Sequence, residues 1–153
     1  MKSIGLQFSQ LSWAMVTHFH LDHAGLLTDF MESGIQCLIF ENQSNSIEEM
    51  ERIIHKNYPY YKDIDQSKLR MIKTSQSRSF LDQIGIKGAV ILTPGHSDDS
   101  ISFITDDHEA IIGDLPPIDQ LILEEDQWMS SWDKIIESGA KTIYPSHANF
   151  FEI

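Results

Sequence analysis

The stretch Thr17-His18-Phe19-His20-Leu21-Asp22-His23-Ala24-Gly25 constrains this chain more than any other. Within six positions it places four side chains able to bind a metal: His18, His20, Asp22 and His23. Residues 14–17 read as a short buried strand and residues 23–33 as a helix, so these ligand-type residues occupy a tight strand-to-helix turn. In extended chain His18 and His20 project to the same side, because side chains alternate with period two. Asp22 is placed to cap the helix that follows, so it and His23 can face one hollow. Neutral imidazole and carboxylate together suit zinc, and also iron or manganese. The competing reading is a histidine-rich turn without metal, and the density of ligand-type residues counts against it.

Three later segments carry further ligand-type residues: Thr93-Pro94-Gly95-His96-Ser97, Ile112-Gly113-Asp114-Leu115 and Tyr144-Pro145-Ser146-His147-Ala148. With them the chain resembles the metallo-β-lactamase fold superfamily, whose signature is His-x-His-x-Asp-His. The segments look like that family's Pro-Gly-His loop, Gly-Asp loop and closing histidine, in the family's order. The resemblance runs from about Trp13 to Ala148. Within that superfamily it resembles the glyoxalase II-like metallo-hydrolases.

The resemblance implies a mixed α/β fold, a four-layer αββα sandwich with two mixed sheets face to face and helices outside. It implies up to two zinc ions, with iron or manganese as possible occupants. His18, His20 and His96 would hold the first ion, and Asp22, His23 and His147 the second. Asp114 would bridge them. Two metals ~3.5–4 Å apart share a hydroxide and polarise the scissile oxygen. That metal-bridging hydroxide is then the nucleophile, and Asp22 is the catalytic residue expected to orient it or relay its proton. Di-iron oxidoreductases of the same superfamily carry Glu where this chain has His20, so the histidine favours hydrolysis. A small ester, thioester or lactone is the expected substrate by analogy alone. The alternative is a non-catalytic metal-binding or interaction protein.

Other features bound this reading. At 153 residues the chain is expected to form a single domain, residues 1–153, with a sizeable core. Its net charge of -12 opposes binding to a phosphate backbone, so no nucleic-acid partner is expected. Cys37 is the single cysteine and lies in the apolar run Gln36-Cys37-Leu38-Ile39-Phe40, which points to a buried structural thiol. Gln7, Ser9 and Gln10 interrupt any signal-peptide core, and no apolar stretch approaches the ~20 residues that span a bilayer. A cytoplasmic protein with no membrane partner is the expectation.

Along the chain, residues 4–13 read as a short helix, 36–40 as a strand and 42–54 as a helix with Ile47, Met50, Ile53 and Ile54 on one face. Tyr58-Pro59-Tyr60-Tyr61 interrupts the pattern, and local packing is favoured over a substrate wall. Strands are expected at 69–73, 89–93, 100–105, 110–113 and 142–144, with helices at 79–84 and 127–138. His55 is explained by a helix C-terminus and His108 by a hairpin turn, so neither is taken as a ligand. Asp98 and Asp99 are expected to bond neighbouring backbone, and Asp119 to be a loop residue.

Family domains place a β-rich segment ahead of the histidine turn, whereas 17 residues precede His18 here. The expectation is a shortened first sheet with an unfinished edge and a partly uncovered face. A homodimer through residues 4–16 and that edge follows from it.

Overall fold

A computed structural model of the chain describes residue 5 and residues 7–118 and 126–153. They fall into two compact units, Met1–Ile72 and Lys73–Ile153.

The first unit is a parallel three-stranded sheet with helices. Strands β1 (Trp13–Met15), β2 (Gln36–Phe40) and β3 (Leu69–Ile72) lie in the order β1-β2-β3, with Ala14 opposite Cys37 and Cys37 opposite Leu69. The central strand β2 is buried from Cys37 to Phe40, as an apolar run in a parallel sheet should be. Helix α3 (Ser46–Asn57) buries Ile47, Met50 and Ile54, a spacing that repeats every three or four residues. Glu48 and Glu49 in its first turn and His55 and Lys56 in its last complement the helix dipole. The core gathers Phe19, Leu27, Cys37, Ile39 and Ile47.

Two expectations are corrected in this unit. The helix expected over 23–33 is two helices, α1 (Leu21–Ala24) and α2 (Leu27–Glu32), divided at Gly25 and Leu26. It begins at Leu21 because the His20 carbonyl accepts from the His23 and Ala24 amides at 3.1 and 2.8 Å. His20 is therefore the N-cap residue, and Asp22 sits in the first turn rather than capping it. The helix expected over 4–13 is a 3-10 turn at Phe8–Gln10, after which Trp13 enters the sheet. The Gln7 amide donates to Gln10 Oε1 at 2.9 Å and closes that turn. The part of this expectation that falls on Ile4 and Leu6 lies outside the described residues, as does that for Asp119.

The second unit holds α4 (Ser77–Gln83) and a five-stranded sheet in the order β4-β5-β6-β7-β8. Its strands are β4 (Gly88–Leu92), β5 (Ile101–Thr105), β6 (Glu109–Gly113), β7 (Thr142–Pro145) and β8 (Phe151–Glu152). Neighbours pair antiparallel except β6 and β7, which are parallel. A parallel pair needs a crossover, and this one contains helix α5 (Asp126–Glu137). Trp132 and Ile135 of α5 are fully buried with Ile112 and Ile143 from these two strands. The short β8 carries little sequence signal and was not expected.

The β5–β6 hairpin turns where Asp106-Asp107-His108 predicts it, and His108 takes φ 65. His108 is more than a solvated turn residue. Its Nδ1 bonds the Gly139 carbonyl at 2.8 Å, just past the end of α5. Cys37 is buried as expected, and burial pushes its thiol pKa up. Among the described residues, no helix is long and apolar enough to cross a membrane. The chain is thus a mixed α/β protein.

Candidate metal centre

In the first unit, the chain leaves β1 and enters the histidine turn past a buried anchor. Gln43 is completely buried, and its side-chain amide donates to the carbonyls of Val16 and Thr17 at 3.2 and 3.3 Å. Its Oε1 accepts from the Phe40 amide at 3.1 Å. Three backbone groups that strand pairing leaves over are satisfied by this one side chain, which fixes the approach to His18.

His18 is itself fully buried. Its Nδ1 lies 3.1 Å from the Thr17 hydroxyl, and its Nε2 lies 3.1 Å from His20 Nδ1. When Nδ1–H donates to Thr17, Nε2 carries the lone pair that a metal takes. The His18 and His20 rings meet edge to face with centroids 4.5 Å apart, and the His23 ring centroid is 4.1 Å from that of His18. Asp22 Oδ2 is 3.5 Å from His23 Nε2. The turn therefore draws together all four ligand-type residues that its spacing predicts: His20 has extended backbone, and Asp22 and His23 lie in the helix that starts after it.

In the second unit the Pro94-Gly95-His96 loop is held by one face of α5. Ser131 Oγ donates to the Pro94 carbonyl at 2.6 Å, and Lys134 Nζ donates to the Leu92 carbonyl at 3.0 Å. The Trp128 indole packs on Gly95, whose φ of 148 favours glycine. From the same helix, Trp132 Nε1 donates to the Pro116 carbonyl at 2.8 Å, steadying the loop after Asp114. One helix thus positions both the His96 loop and the Asp114 loop.

Asp114 Oδ2 lies 3.5 Å from His96 Nε2 and 3.4 Å from His147 Nε2. These residues line a recess of about 360 Å³ with Pro116, Pro117 and Pro145. Asp98 is exposed and Asp99 buried. Ser97 and Ser100 bond through their hydroxyls at 2.7 Å, which closes the loop behind His96.

The donor set in each unit fits a divalent ion. Two atoms bonded to one tetrahedral ion at ~2.1 Å stand roughly 3.4 Å apart. The His18–His20 separation of 3.1 Å and the Asp114–His147 separation of 3.4 Å are of that size. Imidazole nitrogens with carboxylate oxygens suit zinc, iron or manganese alike. Sequence reading missed Gln43, Trp128, Ser131 and Lys134, which position the ligands. Trp128, Ser131 and Lys134 recur at helical spacing, the one trace of this role in the sequence.

Comparison with known proteins agrees with this architecture. A curated lactamase-like protein, nscB of Trichophyton rubrum, is 28% identical over 152 residues, covering 97% of this chain and 40% of that protein. The chain thus spans well under half the length of that relative. The archaeal metallo-beta-lactamase superfamily protein ST1585 from Sulfolobus tokodaii superposes with a TM-score of 0.63 at 20% identity, over 95% of this chain and 66% of its own. TTHA1623, solved in a di-iron-bound form, superposes with a TM-score of 0.69 at 15% identity, over 99% of this chain and 75% of its own. At such identities these structures speak to fold alone. The family model of the metallo-beta-lactamase superfamily matches residues 1–147, and the chain belongs to that superfamily.

Proposed function

We propose that the chain is a metal-dependent hydrolase of small ester, thioester or lactone substrates. The observation that carries this reading is the Asp114 carboxylate, whose Oδ2 lies within 3.5 Å of both His96 and His147. A carboxylate placed between two imidazoles suits a ligand shared by two ions. The family's motifs imply that His18, His20 and His96 would hold one ion and Asp22, His23 and His147 the other, with Asp114 shared. When bound, such ions supply Lewis-acid activation of water and of the scissile carbonyl.

The chain's own residues do the rest. The Thr17 hydroxyl at His18 Nδ1 orients the imidazole ring. Asp22, exposed at the head of α1, is the carboxylate available to accept and relay a proton. Gln43 and α5 hold the ligand loops, so the donors are in place before substrate arrives.

The test is turnover of an ester and thioester panel by protein loaded with zinc, before and after chelator treatment. Metal-dependent turnover that His20→Ala abolishes supports the reading. Metal retention without turnover of any panel member contradicts it and favours a binding protein.

A further inference from the structure

The first unit contains a cavity of about 650 Å³ beside the histidine turn, and it contains none of the proposed metal ligands. Leu21, Leu26 and Ile54 line it together with Tyr58, Tyr60 and Tyr61, and no charged side chain joins them. Leu21 stands between His20 and Asp22 in sequence, so the cavity wall and the ligand turn are one piece of chain.

Local packing accounts for only one of these tyrosines. Tyr61 packs against the core of the unit. Tyr60 is 96% exposed, Tyr58 58% and Leu26 55%. Three large, partly apolar side chains grouped in water around a concave apolar space form a surface of the kind that binds.

We propose that this cavity receives the apolar acyl group of the substrate, which makes the protein selective for acyl chains longer than acetyl. The inference rests on the hydrolase reading for what is cleaved, but not for what is bound. Three observations favour an acyl group over a polar or charged one. The lining offers no cation to pair a carboxylate or phosphate. The volume greatly exceeds an acetyl group. The wall begins at Leu21, which stands between two proposed ligands in sequence, so the cavity borders the ligand turn.

Two measurements test this on zinc-loaded protein. The first compares kcat/KM for 4-nitrophenyl acetate, butyrate and hexanoate. Each buried methylene is worth up to about fourfold, so hexanoate should exceed acetate by at least about tenfold. Leu26→Asp and Tyr60→Asp, both at exposed positions, should bring the hexanoate-to-acetate ratio close to unity. Ile136→Asp, an exposed apolar position in the other unit, should keep the wild-type ratio.

The second measurement is saturable binding of the neutral fluorescent probe N-phenyl-1-naphthylamine. Methyl hexanoate should displace it and methyl acetate should not, and Leu26→Asp should abolish it. Probe binding without ester turnover would retire the hydrolase reading and keep the cavity assignment. Ester turnover with a flat acyl dependence and no probe binding would do the reverse. A length dependence confined to the alcohol side, or probe binding lost as the protein self-associates, would also overturn the proposal.

Discussion

Gly95 lies so close to Trp128 that a single added methyl carbon would overlap the indole ring. The contact joins the residue before His96 to the helix that also bonds the Pro94 and Leu92 carbonyls. Gly95→Ala meets two obstacles, the φ of 148 and the indole. Overpacking of this kind costs about 1–3 kcal/mol. We expect a lower Tm and weaker zinc binding, both read by thermal melts with and without metal. Adding Trp128→Leu should recover part of the loss, since the backbone strain remains. Full stability in Gly95→Ala alone would show that the indole yields freely.

Gln43→Leu removes the donors to Val16 and Thr17 and the acceptor for the Phe40 amide, the Val16 and Phe40 bonds being buried and the Thr17 bond part-buried. Leaving a buried backbone group unsatisfied costs about 1–3 kcal/mol. Urea denaturation should show a lower midpoint with an unchanged m-value. The His18 turn should also bind zinc less tightly. A neutral result would mean that water replaces the side chain there.

His20→Ala should abolish metal-dependent hydrolysis, while His55→Ala and His108→Ala should leave it nearly intact. His55 pairs with Asp63 at 2.6 Å and His108 with the Gly139 carbonyl, so each has a structural partner. Both pairs are largely exposed, and their loss should cost under about 1 kcal/mol. Loss of activity in His108→Ala matching that in His20→Ala would overturn the ligand assignment.

Cys37 predicts a pH effect. Its thiol is buried, and desolvation raises its pKa above the ordinary thiol range. Between the unfolded and folded values the native state holds the proton and the unfolded chain does not. The associated stability is therefore fully present below the ordinary thiol pKa and is lost as pH rises through the folded one. Cys37→Ala should flatten the fall in stability on the alkaline side. Tyr61, raised chiefly by burial, should retain a fall at still higher pH. An unchanged slope in Cys37→Ala would show that the thiol titrates alike in both states.

The ligands were legible because each belongs to a short local pattern, such as His18 to His23 within one turn. β2 and α3 were legible for the same reason: the apolar run Cys37 to Phe40 and the recurrence of Ile47, Met50 and Ile54 encode burial, although Ile53, expected on the same face, is exposed. What holds the ligands was not legible. Gln43 reaches Thr17 across 26 positions, and Ser131 reaches Pro94 across 37. A buried glutamine and a helical serine carry no sign of such partners. The break at Gly25 was not legible because a glycine inside a helical stretch does not by itself end a helix. A Cβ there would overlap the Leu21 carbonyl and come within 2.8 Å of Leu21 Cδ1. The exposure of Tyr60 was likewise invisible, since aromatic residues beside a proline read as packing.

The proposed chemistry depends on divalent metal at His18, His20, Asp22, His23, His96, Asp114 and His147. Elemental analysis of protein purified without chelator and dialysed after zinc supply tests it most directly. We expect retention of up to two divalent ions per chain, with fewer in Asp114→Ala and in His20→Ala. Wild-type protein that is folded by circular dichroism and retains no metal would contradict it.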